Sequence, residues 1–247
     1  TSRKWYFAEG YTGSGFEEWI CIQNPGYTDA AVAVTYYPEG GTPIVREHGV
    51  AANSRFTIPV NIDAGADLAI STELTSDQPV ICERPMYFNY NGVWAGGHVN
   101  SGVAAASPVQ YFAEGTTRPG FDSYLCIQNP GGEAADIAIT YMKGDGGTDT
   151  QTFSVAPNSR YTVAVDDKLG EGNDLAHDFS AEVKCTNGQQ IVAERPVYFH
   201  YGNGWADGHV ESGLAGPAGK FYFAEGTVRP GFETYICIQN PEERDAQ

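Results

Sequence analysis

The chain has 247 residues, 41% hydrophobic and 13% aromatic, with a formal net charge of −17. That length suits one large domain or two ordinary ones, each able to fill a core. An acidic surface with no basic patch excludes nucleic acid and anionic lipid as partners, since both need clustered Lys and Arg. No apolar run of roughly 18 residues occurs, so no helical membrane insertion is expected.

In chain order, residues 5–8 (WYFA) read as a short aromatic strand that turns at Glu9-Gly10. Residues 18–23 alternate: Ile20 and Ile22 face one way, Trp19, Cys21 and Gln23 the other, the pattern of a half-buried strand. Asn24-Pro25 ends it, because Pro has no ladder donor. Residues 31–37 alternate again through Val32, Val34 and Tyr36, and a return strand follows near 44–50. Asn53-Ser54-Arg55 is a turn, favoured by side-chain bonds to its own backbone, and leads to a strand at 56–60. Two further strands are read at 67–74 and 80–90. Pro85 interrupts the second, which predicts a bulge or an edge position there.

The chain then writes all of this again. Residues 5–25 return at 111–130 as YFAEGTTRPGFDSYLCIQNP, and the opening returns once more at 221–241. Tyr6 to Tyr111 is 105 residues and Tyr111 to Tyr222 is 111. A period this long exceeds a solenoid unit and matches a self-sufficient sandwich. The prediction is all-β: tandem antiparallel β-sandwich (Ig-like) domains at 1–105 and 106–217, with the opening strands of a third repeat at 218–247. In the second copy the matching strands fall near 136–142, 150–155, 161–165, 174–183 and 191–201, with Pro196 in the place of Pro85. Short small-residue linkers, 104–108 and 215–219, predict a semi-rigid rod.

Of five Cys, Cys21, Cys126 and Cys237 share one slot, while Cys82 and Cys185 match nothing in the other copy. A disulfide framework would repeat with the domain, so buried free thiols are expected, although the pairs Cys21–Cys82 and Cys126–Cys185 remain open. No metal-ligand spacing, cofactor motif or G-x-S-x-G is present, so neither metal, cofactor nor enzymatic activity is expected.

The motif set YFAEG…GF…NP (residues 6–25), Asn53–Arg55, Val80–Phe88 (VICERPMYF) and Trp94–His98 (WAGGH) falls in order twice. On these motifs the chain resembles a domain family of unknown function, found in tandem on predicted secreted and cell-surface proteins of bacteria, Actinobacteria and Chloroflexi among them. The second copy departs from the pattern with Asp207 at the place of Gly96. The resemblance implies an extracellular or cell-surface location and supplies no reaction.

Several residues are candidates for a site. Glu9, Glu114 and Glu225 recur in the FAEG turn, Glu83-Arg84 and Glu194-Arg195 before Pro, and Arg55 and Arg160 after Asn-Ser. Charges repeated once per domain are expected to be structural ion pairs or turn ligands. Trp94 with His98, and Trp205 with His209, could stack on and hydrogen-bond a sugar, against the plainer expectation that Trp caps the core. Residues 221–247 would expose Tyr222, Phe223, Tyr235, Ile236 and Ile238 if unpaired, so they are expected to complete the second copy or to add to a neighbouring chain. Two functions follow. One is a non-enzymatic extracellular structural repeat that self-associates or packs on neighbouring repeats, as a surface or filament module. The alternative is a carbohydrate-binding adhesion module.

Overall fold

The computed structural model describes every residue except Asn203, Glu243 and Gln247. The first repeat contains β1 (Ser2–Phe7), β2 (Phe16–Asn24), β3 (Ala30–Pro38), β4 (Ile44–Val50), β5 (Ser54–Pro59), the single-turn helix α1 (Val60–Asp63), β6 (Ile70–Tyr90) and β7 (Trp94–Ser101). The second contains β8 (Val109–Phe112), β9 (Phe121–Asn129), β10 (Ala135–Lys143), β11 (Thr148–Val155), β12 (Ser159–Ala164), α2 (Val165–Leu169), β13 (Phe179–Cys185), β14 (Val192–Tyr201) and β15 (Trp205–Ser212). The chain is all-β, and its strand pairs are antiparallel. Among the described residues no helix is long and apolar enough to cross a membrane.

Each repeat is two sheets face to face. In the second, β11-β10-β13-β8 packs on β12-β9-β14-β15. In the first, β6 takes both central places. Its first half pairs with β1 and β3, and its second half with β2 and β7. The sequence suggested two strands here, at 67–74 and 80–90. The chain instead stays extended through all 21 residues. In the second repeat, residues 186–191 lie between the strands and divide them into β13 and β14. The strand read at 174–183 begins only at Phe179, after a 3-10 turn over Leu175–His177 whose N-cap is the Asp174 carboxylate.

Pro85 and Pro196 occupy neither a bulge nor an edge. β6 lies between β2 and β7, and β14 between β9 and β15. Glu18 pairs with Met86 and Cys21 with Glu83, so the ladder keeps one register across the proline. The lost donor is accommodated because only the pairs beside the ring are missing.

The alternation read in β2 and β3 points Ile20, Ile22, Val32, Val34 and Tyr36 into the first core, with Leu74 and Cys82 from β6. Leu125, Ile127, Ile137, Ile139 and Tyr141 do the same in the second. Each such side chain contributes about 1.5–3 kcal/mol of burial. The Asn of the NP motif is buried at the strand end. The Asn24 amide donates to the carbonyls of Thr28, Val50 and Ala51 at 2.8, 3.1 and 3.2 Å, and its oxygen accepts from the Gly26 N–H. Asn129 makes the same four bonds to Glu133, Val155, Ala156 and Gly131. Each Asn thereby ties the chain after its strand to the turn at Asn53 or Asn158, both of which take positive φ (50°).

All five thiols are free. From residue 220 onward the described residues form no strand, so the strands expected there do not form. Tyr222, Phe223, Tyr235, Ile236 and Ile238 are 71–87% exposed because no second sheet lies across from them.

Candidate functional site

Alternation along β6 puts Cys82, Arg84, Met86 and Phe88 on one face. Cys82 belongs to the first core. Met86 and Phe88 instead pack with Phe16 on Tyr198 of the second repeat. In β14 the residues that meet this face, Glu194 and Tyr198, lie on the side opposite Ala193, which points into the second core. The inward face of one repeat therefore overlaps the outward face of the next, and the contact is head to tail.

Its centre is charged. Arg84, fully buried, holds the Glu9 carboxylate at 2.7 Å and the Glu194 carboxylate at 2.7 Å, and donates to the Glu9 carbonyl. The Glu9 N–H and the Asn100 amide also donate to Glu194, each at 2.7 Å, and Asn100 donates to Ser212 at 2.9 Å. Arg160 reaches back across the contact and donates to the carbonyls of Gly10 and Ile70, both at 2.8 Å. Its other nitrogen donates to Cys126 Sγ at 3.1 Å and Thr162 Oγ1 at 2.5 Å. Burial alone would lower the Arg84 guanidinium, but the carboxylates of Glu194, Glu9 and Glu18 outweigh it and push it up. Glu18 is buried without a cation of its own, and desolvation raises its carboxyl to about 8. Desolvation likewise pushes the Cys126 thiol up to about 12.

Beside the charges is an aromatic slot. Tyr198 stacks on Tyr90 at 4.5 Å and 3°, and meets Phe88 and Phe16 edge-on at 5.0 and 5.8 Å. The Tyr90 and Tyr124 hydroxyls are 2.7 Å apart. Edge-on and offset pairs of this kind contribute about 0.5–1.5 kcal/mol beyond their area.

The candidate sugar-binding residues fall in two places. Trp94 stacks on Tyr90 and on His200 of the second repeat, at 5.5 and 6.1 Å. His98 lies against Phe88, with both ring nitrogens shielded from solvent; burial and then the Arg84 charge lower it to about 3. This pair belongs to the contact between repeats. Trp205 meets Tyr201 edge-on at 5.5 Å, and His209 lies 3.4 Å from Glu114 and 3.2 Å from Arg195, half exposed.

One recurring pair forms within each repeat: Arg195 holds Glu114 at 2.6 Å as Arg84 holds Glu9. Glu225, Arg55 and Glu83 are exposed. Cys237 lies close enough to Glu114 that partial burial and then that carboxylate raise its thiol. Sequence reasoning passed over Asn100, Tyr198 and Glu18. One signal was present: the run ERPVYFHY (194–201) carries large apolar groups at both parities, which marks a strand covered on both faces, and Val197 and Tyr198 are both buried. Among the described residues no group of three or more His, Cys, Asp and Glu side chains could hold a metal ion.

No protein-family model matches this chain, and no curated protein matches it significantly. Among solved structures it is similar to Thermotoga maritima 1070, with 21% identity and a TM-score of 0.39 over 41% of this chain and 93% of that one. It is also similar to the Anabaena sensory rhodopsin transducer, with 24% identity and a TM-score of 0.31 over 34% of this chain and 86% of that one. A two-domain fibronectin type-III segment of chicken tenascin matches 77% of this chain and 94% of its own at 10% identity, with a TM-score of 0.15. Scores this low add nothing to the fold read from the strands themselves.

Proposed function

We propose that this chain is a non-enzymatic structural repeat protein, displayed outside the cell, whose repeats stack head to tail into a stiff surface or filament module. The observation that carries the reading is the Arg84–Glu194 pair with Glu9, Asn100 and Arg160 around it. These groups are placed where only a neighbouring repeat completes them. A buried charge left without its partner is costly, so such a network favours one register of one repeat on the next. The extracellular placement rests on the motif resemblance.

Small-angle scattering tests the stack. The expected profile is that of a single rigid body, and Glu194→Ala should loosen it into two independently tumbling lobes. A wild-type profile of two loose lobes would sink the reading. The adhesion alternative draws on Trp205 and the half-exposed His209. A glycan array showing saturable binding that Trp205→Ala abolishes would favour it instead.

A further inference from the structure

We infer that the outward face of repeat 1 is a docking surface for a second copy of this chain, which presents residues 222–226 to it. The inference rests on the stacking reading and names a partner for this face.

On the second repeat, Cys126, Gln128, Arg160 and Glu194 are 0–5% exposed beneath repeat 1. The first repeat carries the same four side chains at the same motif positions, Cys21, Gln23, Arg55 and Glu83, and there they line an uncovered cleft. Tyr87 is 56% exposed where Tyr198 is 5%. The open face is already set in the covered conformation. Arg55 donates to Thr57 Oγ1 at 2.8 Å and to Cys21 Sγ at 3.6 Å, as Arg160 does to Thr162 and Cys126.

Part of what covers the second repeat is the FAEG turn. Tyr6 and Ala8 pack on Cys126 and Val192, the Glu9 N–H donates to Glu194, and the Gly10 carbonyl accepts from Arg160. Residues 222–226 repeat that turn with Tyr222, Ala224, Glu225 and Gly226 at the same spacing, and all four are exposed in their own chain. Docked on a second copy, Tyr222 and Ala224 cover Cys21 and Ile81. The Glu225 N–H meets the Glu83 carboxylate, and the Gly226 carbonyl meets Arg55. Donor turn and acceptor face lie on different repeats, so the contact is heterologous and copies add without closing.

Sedimentation velocity of the full chain from about 1 μM to about 1 mM tests this across the range of weak to moderate affinity. The weight-average mass should rise past that of a dimer. Arg55→Glu, which spoils the acceptor, and Ala224→Arg, which spoils the donor turn, should each remain monomeric. Both positions are exposed, so neither change disturbs a core. An equimolar mixture of the two variants should stop at the dimer, because it holds one good donor and one good acceptor. Wild type that stays monomeric while scattering still reports a rigid stack overturns this inference and leaves the stacking reading intact. Variants that assemble like wild type overturn it as well. A monomer of two loose lobes overturns the stacking reading, and this inference with it.

Discussion

Repeat 1 and repeat 2 carry the same Glu-Arg-Pro sequence and use it differently. In repeat 1, Arg84 is buried and Glu83 is exposed. In repeat 2 both Glu194 and Arg195 are buried, Glu194 by Arg84 of the repeat before it. Arg84 is surrounded by three carboxylates and is pushed up. Arg195 has Glu114 and the more distant Glu211, and burial holds it below the usual range. A side chain's role in this chain is therefore set by its place in the stack as much as by its motif.

The sharpest way to break that difference is to remove one carboxylate at a time. Glu194→Ala leaves Arg84 buried with one direct ion pair, to Glu9, where it had two, and should cost about 3–5 kcal/mol in a denaturant titration. The next comparison concerns an acid that changes position. Repeat 1 buries Glu18, whose N–H donates to Asn61, whereas repeat 2 has Ser123, whose N–H donates to Asp166. Burial raises Glu18 to about 8, above its ordinary value near 4.5. Its contribution to stability is fully present below about pH 4.5 and is lost as pH rises through about 8, a loss on the order of 4–5 kcal/mol. Glu18→Gln should flatten thermal stability across that window. Asp166→Asn should act in the same sense but over a narrower window, since burial raises Asp166 only to about 6.

Smaller and equal effects are expected where the repeats agree. Asn24→Ala and Asn129→Ala each strand buried carbonyls, and each should cost about 1–3 kcal/mol. Unequal losses would mean that the two clamps carry different loads. The smallest effect is that of Glu83→Ala on the monomer, within about 0.5 kcal/mol, because its surface is open. A large loss there would show that the face is already covered at the concentration used.

The strands and the two-fold repetition were legible because period-two alternation and turn residues are local signals. Ile20, Ile22 and Val34 announce their face within a few residues. The continuity of β6 was not legible. Ser76-Asp77-Gln78-Pro79 has turn composition, but Ser2 pairs with Val80 and the Trp5 indole donates to the Val80 carbonyl, and these distant partners keep the stretch extended. The centring of Pro85 was missed because a proline's ladder position depends on which neighbours a strand acquires. The pairing of Arg84 with Glu194, 110 residues away, was beyond any local rule.

The unbroken β6 has a mechanical consequence. In repeat 1 one backbone passes through both sheets, so a pull that parts them must bend or strip that strand through its own hydrogen bonds. In repeat 2 the sheets are joined at that place only by residues 186–191, which can straighten first. Under tension along the stack repeat 2 should yield before repeat 1, which makes it the more compliant of the two.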